Sequence, residues 1–174
     1  MIVGAGPIGL ACALWCRLRG AQQVLISERV AARAAMGATF GFITLDGDGD
    51  VDAAFKALAG GAADIQFECV GAPGMLQACI ERAPTGGLIM GVGVCDQSDH
   101  IEPLAAVLKE LCIQWVLGYQ KSDFAQTLEA ILSGELQPAA MITDVVTLAQ
   151  LPAAFEALRD PVDQCKVLVD LRPQ

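Results

Sequence analysis

Short β-type runs alternate with amphipathic helical patterns along most of this chain, and that alternation limits the folds open to it. Val24-Leu25-Ile26, Thr39 to Leu45, Asp64 to Val70, Gly87 to Val94 and Leu111 to Tyr119 read as strands. Between them, Ala11, Leu14, Trp15 and Leu18 fall at helical spacing, as do Ile101, Leu104, Ala105 and Leu108. Phe124, Leu128, Ile131 and Leu132 line a further helix face, and Gly134 is placed to end it. Near-continuous apolar strands separated by helices require a parallel sheet covered on both faces. The expected class is therefore α/β, with no linker, repeat or low-complexity segment to divide it.

Of the 174 residues 54% are apolar, and the mean hydropathy is +0.49. That richness raises the question of a membrane. The longest uncharged run, Met1 to Cys16, is shorter than the roughly 20 residues a spanning helix needs, and glycines and Pro7 interrupt it. No basic segment precedes it, so a signal peptide is not expected and the reading is cytoplasmic. A net charge of −9 argues against nucleic acid or anionic lipid as partners. Cys12, Cys16, Cys69, Cys79, Cys95, Cys112 and Cys165 form no C-x-x-C pair, and His100 is the only histidine. This is poor material for a zinc site. Cys12 and Cys16 read as small core residues of one helix face. Asp46, Asp48, Asp50 and Asp52 resemble the start of a calcium loop, but Val51 and Ala57 stand where glycine and glutamate are needed. They read as a solvated loop before a helix near Val51.

The chemistry lies in Gly4-Ala5-Gly6-Pro7-Ile8-Gly9, a G-x-G-x-x-G run set between a strand and a helix. Gly4 permits the tight turn, Gly6 lets a pyrophosphate approach the backbone, and Gly9 lets helix and strand pack closely. The helix N-terminus, opening at Pro7 and Ile8, offers free N–H groups and a positive dipole end to phosphates. Glu28 ends the next strand, placed to accept hydrogen bonds from the adenosine ribose hydroxyls and to repel a 2′-phosphate. The expected cofactor is NAD in preference to NADP, with Arg29 adjoining the acid. Many flavoproteins share this opening, so the residues beyond Glu28 must distinguish the two classes.

Those residues resemble the medium-chain alcohol dehydrogenase family, in its zinc-dependent alcohol and polyol branch. The matching pieces are Ile2 to Leu10, Val24 to Glu28, Phe67 to Pro73, Gly86-Gly87, Gly91 to Val94, Leu117-Gly118-Tyr119, Leu136 to Thr143 and Lys166 to Asp170. The resemblance implies a Rossmann fold: a doubly wound, parallel, six-stranded sheet over residues 1–136. Residues 137–174 form a short C-terminal tail like the family's return into its catalytic domain. It implies that Cys69, Val70 and Gly71 border the adenosine half of NAD, and that Arg33 helps hold the ribose. It puts Val92, Gly93 and Val94 against the nicotinamide ribose and carboxamide, and Leu117, Gly118 and Tyr119 near the nicotinamide.

Family members are about twice as long, and their other half carries the zinc ligands, proton relay and most of the substrate pocket. The resemblance therefore implies NAD binding here, zinc only in full-length relatives, and no catalytic residues in this chain. A small alcohol is a partner only if a catalytic domain is supplied. The first strand is expected to be cut short at Met1, and the segment from Glu28 to Gly37 to lack about one helical turn. The family's two-fold pairing along the sixth strand implies a homodimer. A non-catalytic NAD(H)-binding or redox-sensing module is the alternative. A zinc-free quinone reductase relative is a third reading, opposed by Glu28 because those members favour NADPH.

Overall fold

The computed structural model describes residues 1–159 and 163–172. Six parallel strands form the main sheet: β1 (Ile2–Val3), β2 (Leu25–Glu28), β3 (Ile43–Asp46), β4 (Ile65–Glu68), β5 (Leu88–Gly91) and β6 (Cys112–Trp115). Their spatial order is β3-β2-β1-β4-β5-β6, so the winding reverses between β1 and β4. That reversal leaves a crevice at the carboxyl ends of the central strands, where ligands of such sheets bind.

Helices α1 (Pro7–Leu18), α2 (Ala31–Thr39) and α6 (Lys121–Leu132) cover one face, and α3 (Val51–Ala59), α4 (Met75–Arg82) and α5 (Pro103–Leu108) the other. Consecutive strand residues point to opposite faces. Ile2 and Ile26 therefore join Leu10, Ala13 and Leu14 of α1, while Val3 and Leu25 join Phe55, Cys79 and Ile80. Ile2, Leu10, Ile26, Ile80 and Ile89 are almost wholly buried, and each contributes about 1.5–3 kcal/mol by leaving water. Both faces thus account for the unbroken apolar strands.

Strand β1 is short, but its pairing extends to Met1, whose carbonyl accepts from the Phe67 N–H at 2.9 Å. Asp50 caps α3, its Oδ1 accepting from the Ala53 N–H at 2.9 Å, so the aspartate run is a helix start. Gly134, at φ +82°, ends α6 as expected. After a 3₁₀ turn (Pro138–Met141), β7 (Ile142–Thr147), α7 (Leu151–Ala157) and β8 (Lys166–Asp170) make a separate two-stranded parallel sheet. Met141 and Cys165 of this segment pack onto the α1 face.

Several boundaries differ from the sequence reading. Thr39 belongs to α2, and the strand after it starts only at Ile43. Strand β6 stops at Trp115, so Val116 to Tyr119 continue beyond the sheet. Ile101 precedes α5, which packs through the small Ala105 and Ala106 and leaves Leu104 and Leu108 exposed. Likewise α6 reaches the core through Ala130, with Phe124, Leu128, Ile131 and Leu132 exposed. In both helices the apolar periodicity was real, but small residues make the close approach.

Candidate functional site

The turn after β1 is built by the glycines. Gly4 has φ +97° and donates its N–H to the Ser27 carbonyl at 2.8 Å, tying the turn to β2. A Cβ on Gly9 would lie 1.9 Å from the Gly4 carbonyl oxygen, so only glycine permits this contact between helix and turn. Gly6 is different: a Cβ there would meet nothing within 4 Å. It stands as the N-cap of α1 with no side chain capping the helix, Pro7 beginning the first turn and Ile8 half exposed. The first-turn N–H groups and the helix dipole are therefore available to an anion.

Glu28 closes the turn from β2. Its Oε2 accepts from the Ala5 N–H, and its Oε1 from the N–H groups of Arg29 and Val30, all at 2.8 Å. These three donors fix the carboxylate at the edge of a cleft of about 300 Å³. Gly4, Gly6, Arg33, Cys69 and Val70 line the same cleft, so the fold brings these sequence-predicted residues together. Arg29 Nε lies 4.0 Å from Asp48 Oδ1, an exposed pair across the rim that contributes little to stability.

Gly71 and Gly93 have a packing role. A Cβ on Gly71 would lie 2.5 Å from the Val94 nitrogen, and one on Gly93 2.3 Å from the Gly71 nitrogen. The ends of β4 and β5 thus interlock, placing Val92, Gly93 and Val94 beside Gly71. Glu68, which the sequence reading did not single out, organises this junction. It is buried, and its Oε1 accepts from the N–H groups of Val70 at 2.7 Å and Gly71 at 2.9 Å. An acid at the last position of a buried strand, three residues before a glycine, was the available signal.

Leu117, Gly118 and Tyr119 do not join this cleft. Leu117 is 97% exposed, and Tyr119 stacks on Phe124 with ring centroids 6.3 Å apart. Gly118 and Tyr119 instead line a second groove of about 580 Å³ between α1 and α6, with Trp15 and Arg19. That groove contains none of the fingerprint glycines. The smaller cleft has the turn, helix end and acid that a dinucleotide requires.

Two buried thiols resist ionisation. Burial pushes the Cys79 thiol up to about 12. Cys69 shares a hydrogen bond with Cys12, which with burial holds the Cys69 thiol well above its ordinary value. Among the described residues no group of three His, Cys, Asp or Glu side chains is placed to hold a metal ion, so the residues present do not fit a zinc centre. No helix among them is long and apolar enough to cross a membrane.

A parallel sheet ordered 3-2-1-4-5-6, with a glycine turn and an acid at the ends of β1 and β2, defines a dinucleotide-binding α/β domain. The chain belongs to the zinc-binding dehydrogenase family, whose sequence profile matches residues 7–133. It is similar to D-xylulose reductase of Saccharomyces cerevisiae, with 28% identity over 98% of this chain and 50% of the relative. The crystal structure of 2R,3R-butanediol dehydrogenase from Bacillus subtilis superposes with a TM-score of 0.86 at 28% identity, over 99% of this chain and 50% of that one. A zinc-binding dehydrogenase from Sinorhizobium meliloti 1021, solved bound to NADP, superposes at 0.83 with 26% identity, over 98% of this chain and 51% of that one. The chain therefore spans about half the length of these relatives and resembles their C-terminal half.

Proposed function

We propose that this chain is the NAD(H)-binding part of an oxidoreductase of the alcohol and polyol dehydrogenase type. The observation that carries the reading is the contrast within the glycine turn. Gly9 is needed for packing, whereas Gly6 opens onto free space beside an uncapped helix end and Glu28. A turn serving the fold alone would not need the second glycine. In this reading the pyrophosphate rests on the α1 N-terminus and Glu28 holds the adenosine ribose hydroxyls, with Arg33 assisting. Cys69, Val70 and Gly71 border the adenosine half, and Val92, Gly93 and Val94 the nicotinamide ribose.

Leu117, Gly118 and Tyr119 reach the nicotinamide only as the outer end of the site. Bound nicotinamide supplies the hydride acceptor for alcohol oxidation. This chain's residues bind and orient it, and no step through zinc is assigned to them. Residues 1–136 act as the cofactor domain, with 137–174 as the segment that joins a catalytic half.

A cytoplasmic location belongs to the same reading, since all seven cysteines are free and suit a reducing compartment. So does a homodimer through β6, whose edge is unpaired and carries an exposed Trp115. Parallel fluorescence titrations with NADH and NADPH test the cofactor. The expected result is saturable NADH binding and weaker NADPH binding, with no metal-dependent alcohol turnover by the chain alone. Preference for NADPH overturns the role given to Glu28. Turnover in proportion to the protein overturns the division of labour.

A further inference from the structure

Glu28 does not decide alone between the two nicotinamide dinucleotides, because a cation stands beside it. Arg29, Arg33 and Arg82 all line the cleft of the glycine turn. Arg82 is paired with Asp52, its Nε 3.8 Å from Asp52 Oδ1. Arg29 directly follows the ribose acid, and its side chain reaches the rim, 69% exposed. Left free there, it would attract the 2′-phosphate that Glu28 repels, since guanidinium and phosphate form strong charge-assisted hydrogen bonds.

The turn after β3 brings a carboxylate to this arginine. Gly47 donates its N–H to the Glu28 carbonyl at 3.0 Å. A Cβ on Gly47 would lie 2.7 Å from Arg29 Cγ and 3.0 Å from the Arg29 nitrogen, so glycine lets the turn close against Glu28 and Arg29. Asp46 Oδ1 accepts from the Asp48 N–H at 3.0 Å and shapes the turn. Asp48 is thereby delivered to the same cleft, its Oδ1 4.0 Å from Arg29 Nε.

An exposed pair of this kind does little for folding. Its effect falls on a third charge. Glu28, Arg29 and Asp48 together are net negative, whereas Glu28 and Arg29 without Asp48 are neutral. A 2′-phosphate entering the rim comes within a Debye length of these groups, about 8 Å at physiological ionic strength, and responds to that difference.

We propose that Asp48 is a specificity-determining residue, which occupies Arg29 and so denies the 2′-phosphate of NADPH its cation. The inference rests on the dinucleotide reading of the cleft, and adds a second residue, from the β3 turn, to the discrimination given to Glu28.

Fluorescence titration of the wild-type chain, Asp48→Asn and the double variant Asp48→Asn/Arg29→Gln with NADH and NADPH, at low and high salt, tests it. The expected result is that the ratio of NADPH to NADH affinity rises about fivefold in Asp48→Asn at low salt. The rise shrinks at high salt, and the ratio falls back in the double variant. A merely structural role would weaken both cofactors together and leave the ratio where it was. An unchanged ratio in Asp48→Asn overturns the inference and leaves the role of Glu28 standing. A rise that survives Arg29→Gln also overturns it, because the released cation is then not Arg29. Failure of the wild type to bind either cofactor overturns the dinucleotide reading itself and this inference with it.

Discussion

Replacing Gly6 and Gly9 by alanine, one at a time, separates the two jobs of the glycine turn. At Gly9 the new Cβ would stand 1.9 Å from the Gly4 carbonyl oxygen, against an ordinary contact of 3.4 Å or more. Both partners are backbone, so α1 must shift away from β1 and disturb the contacts of Leu10 and Ala13. Overpacking of this kind costs about 3 kcal/mol, which in a domain of this size lowers the melting temperature by roughly 6–12 °C. At Gly6 the backbone has φ −68° and ψ 176°, open to any residue, and nothing lies within 4 Å. Alanine there narrows the unfolded ensemble and stabilises by about 0.4–1 kcal/mol.

The same methyl group occupies the approach of the phosphates, so NADH affinity falls at least tenfold, about 1.4 kcal/mol. Circular dichroism melting and NADH titration of the two variants read both effects. A Gly9→Ala variant that melts with the wild type refutes the packing argument. A Gly6→Ala variant with unaltered NADH affinity refutes the cradle.

Three further outcomes follow from the same geometry. Glu28→Ala removes the acceptor for the N–H groups of Ala5, Arg29 and Val30. It should lower stability by about 1–2 kcal/mol and weaken NADH more than it weakens free pyrophosphate, measured by denaturant melts and calorimetry. Cys79 holds its proton to about pH 12 in the fold, from an ordinary value of 9.0. The unfolded thiol ionises first, so stability should be unaffected below pH 9 and decline between 9 and 12. A Cys79→Ala variant that keeps the whole of that decline excludes this thiol as its source. Mass-resolved alkylation of the native chain should label exposed Cys112 well before buried Cys79, and equal rates would contradict the burial.

The parallel sheet covered on both faces and the glycine turn were legible because each rests on a local signal. Apolar runs on β2, β4 and β5 fit burial on both faces, and the glycine spacing marks the turn after β1. What escaped was long-range. The exposure of Leu104 and Phe124 depends on neighbours that choose Ala105 and Ala130 for contact, which helical periodicity cannot distinguish. The early end of β6 at Trp115 was also hidden, and it leaves Gly118 and Tyr119 in the groove beside Trp15 of α1. Glu68 was hidden for a related reason. Its role comes from partners brought close only by the fold, the backbone N–H groups of Val70 and Gly71.

A crystal structure of this chain grown with NADH tests the central claim most directly. The account predicts the pyrophosphate over Gly6 at the α1 N-terminus, with the adenosine ribose hydroxyls within hydrogen-bond reach of Glu28. NADH lodged in the groove between Trp15 and Tyr119, or no bound NADH at millimolar concentration, would contradict it.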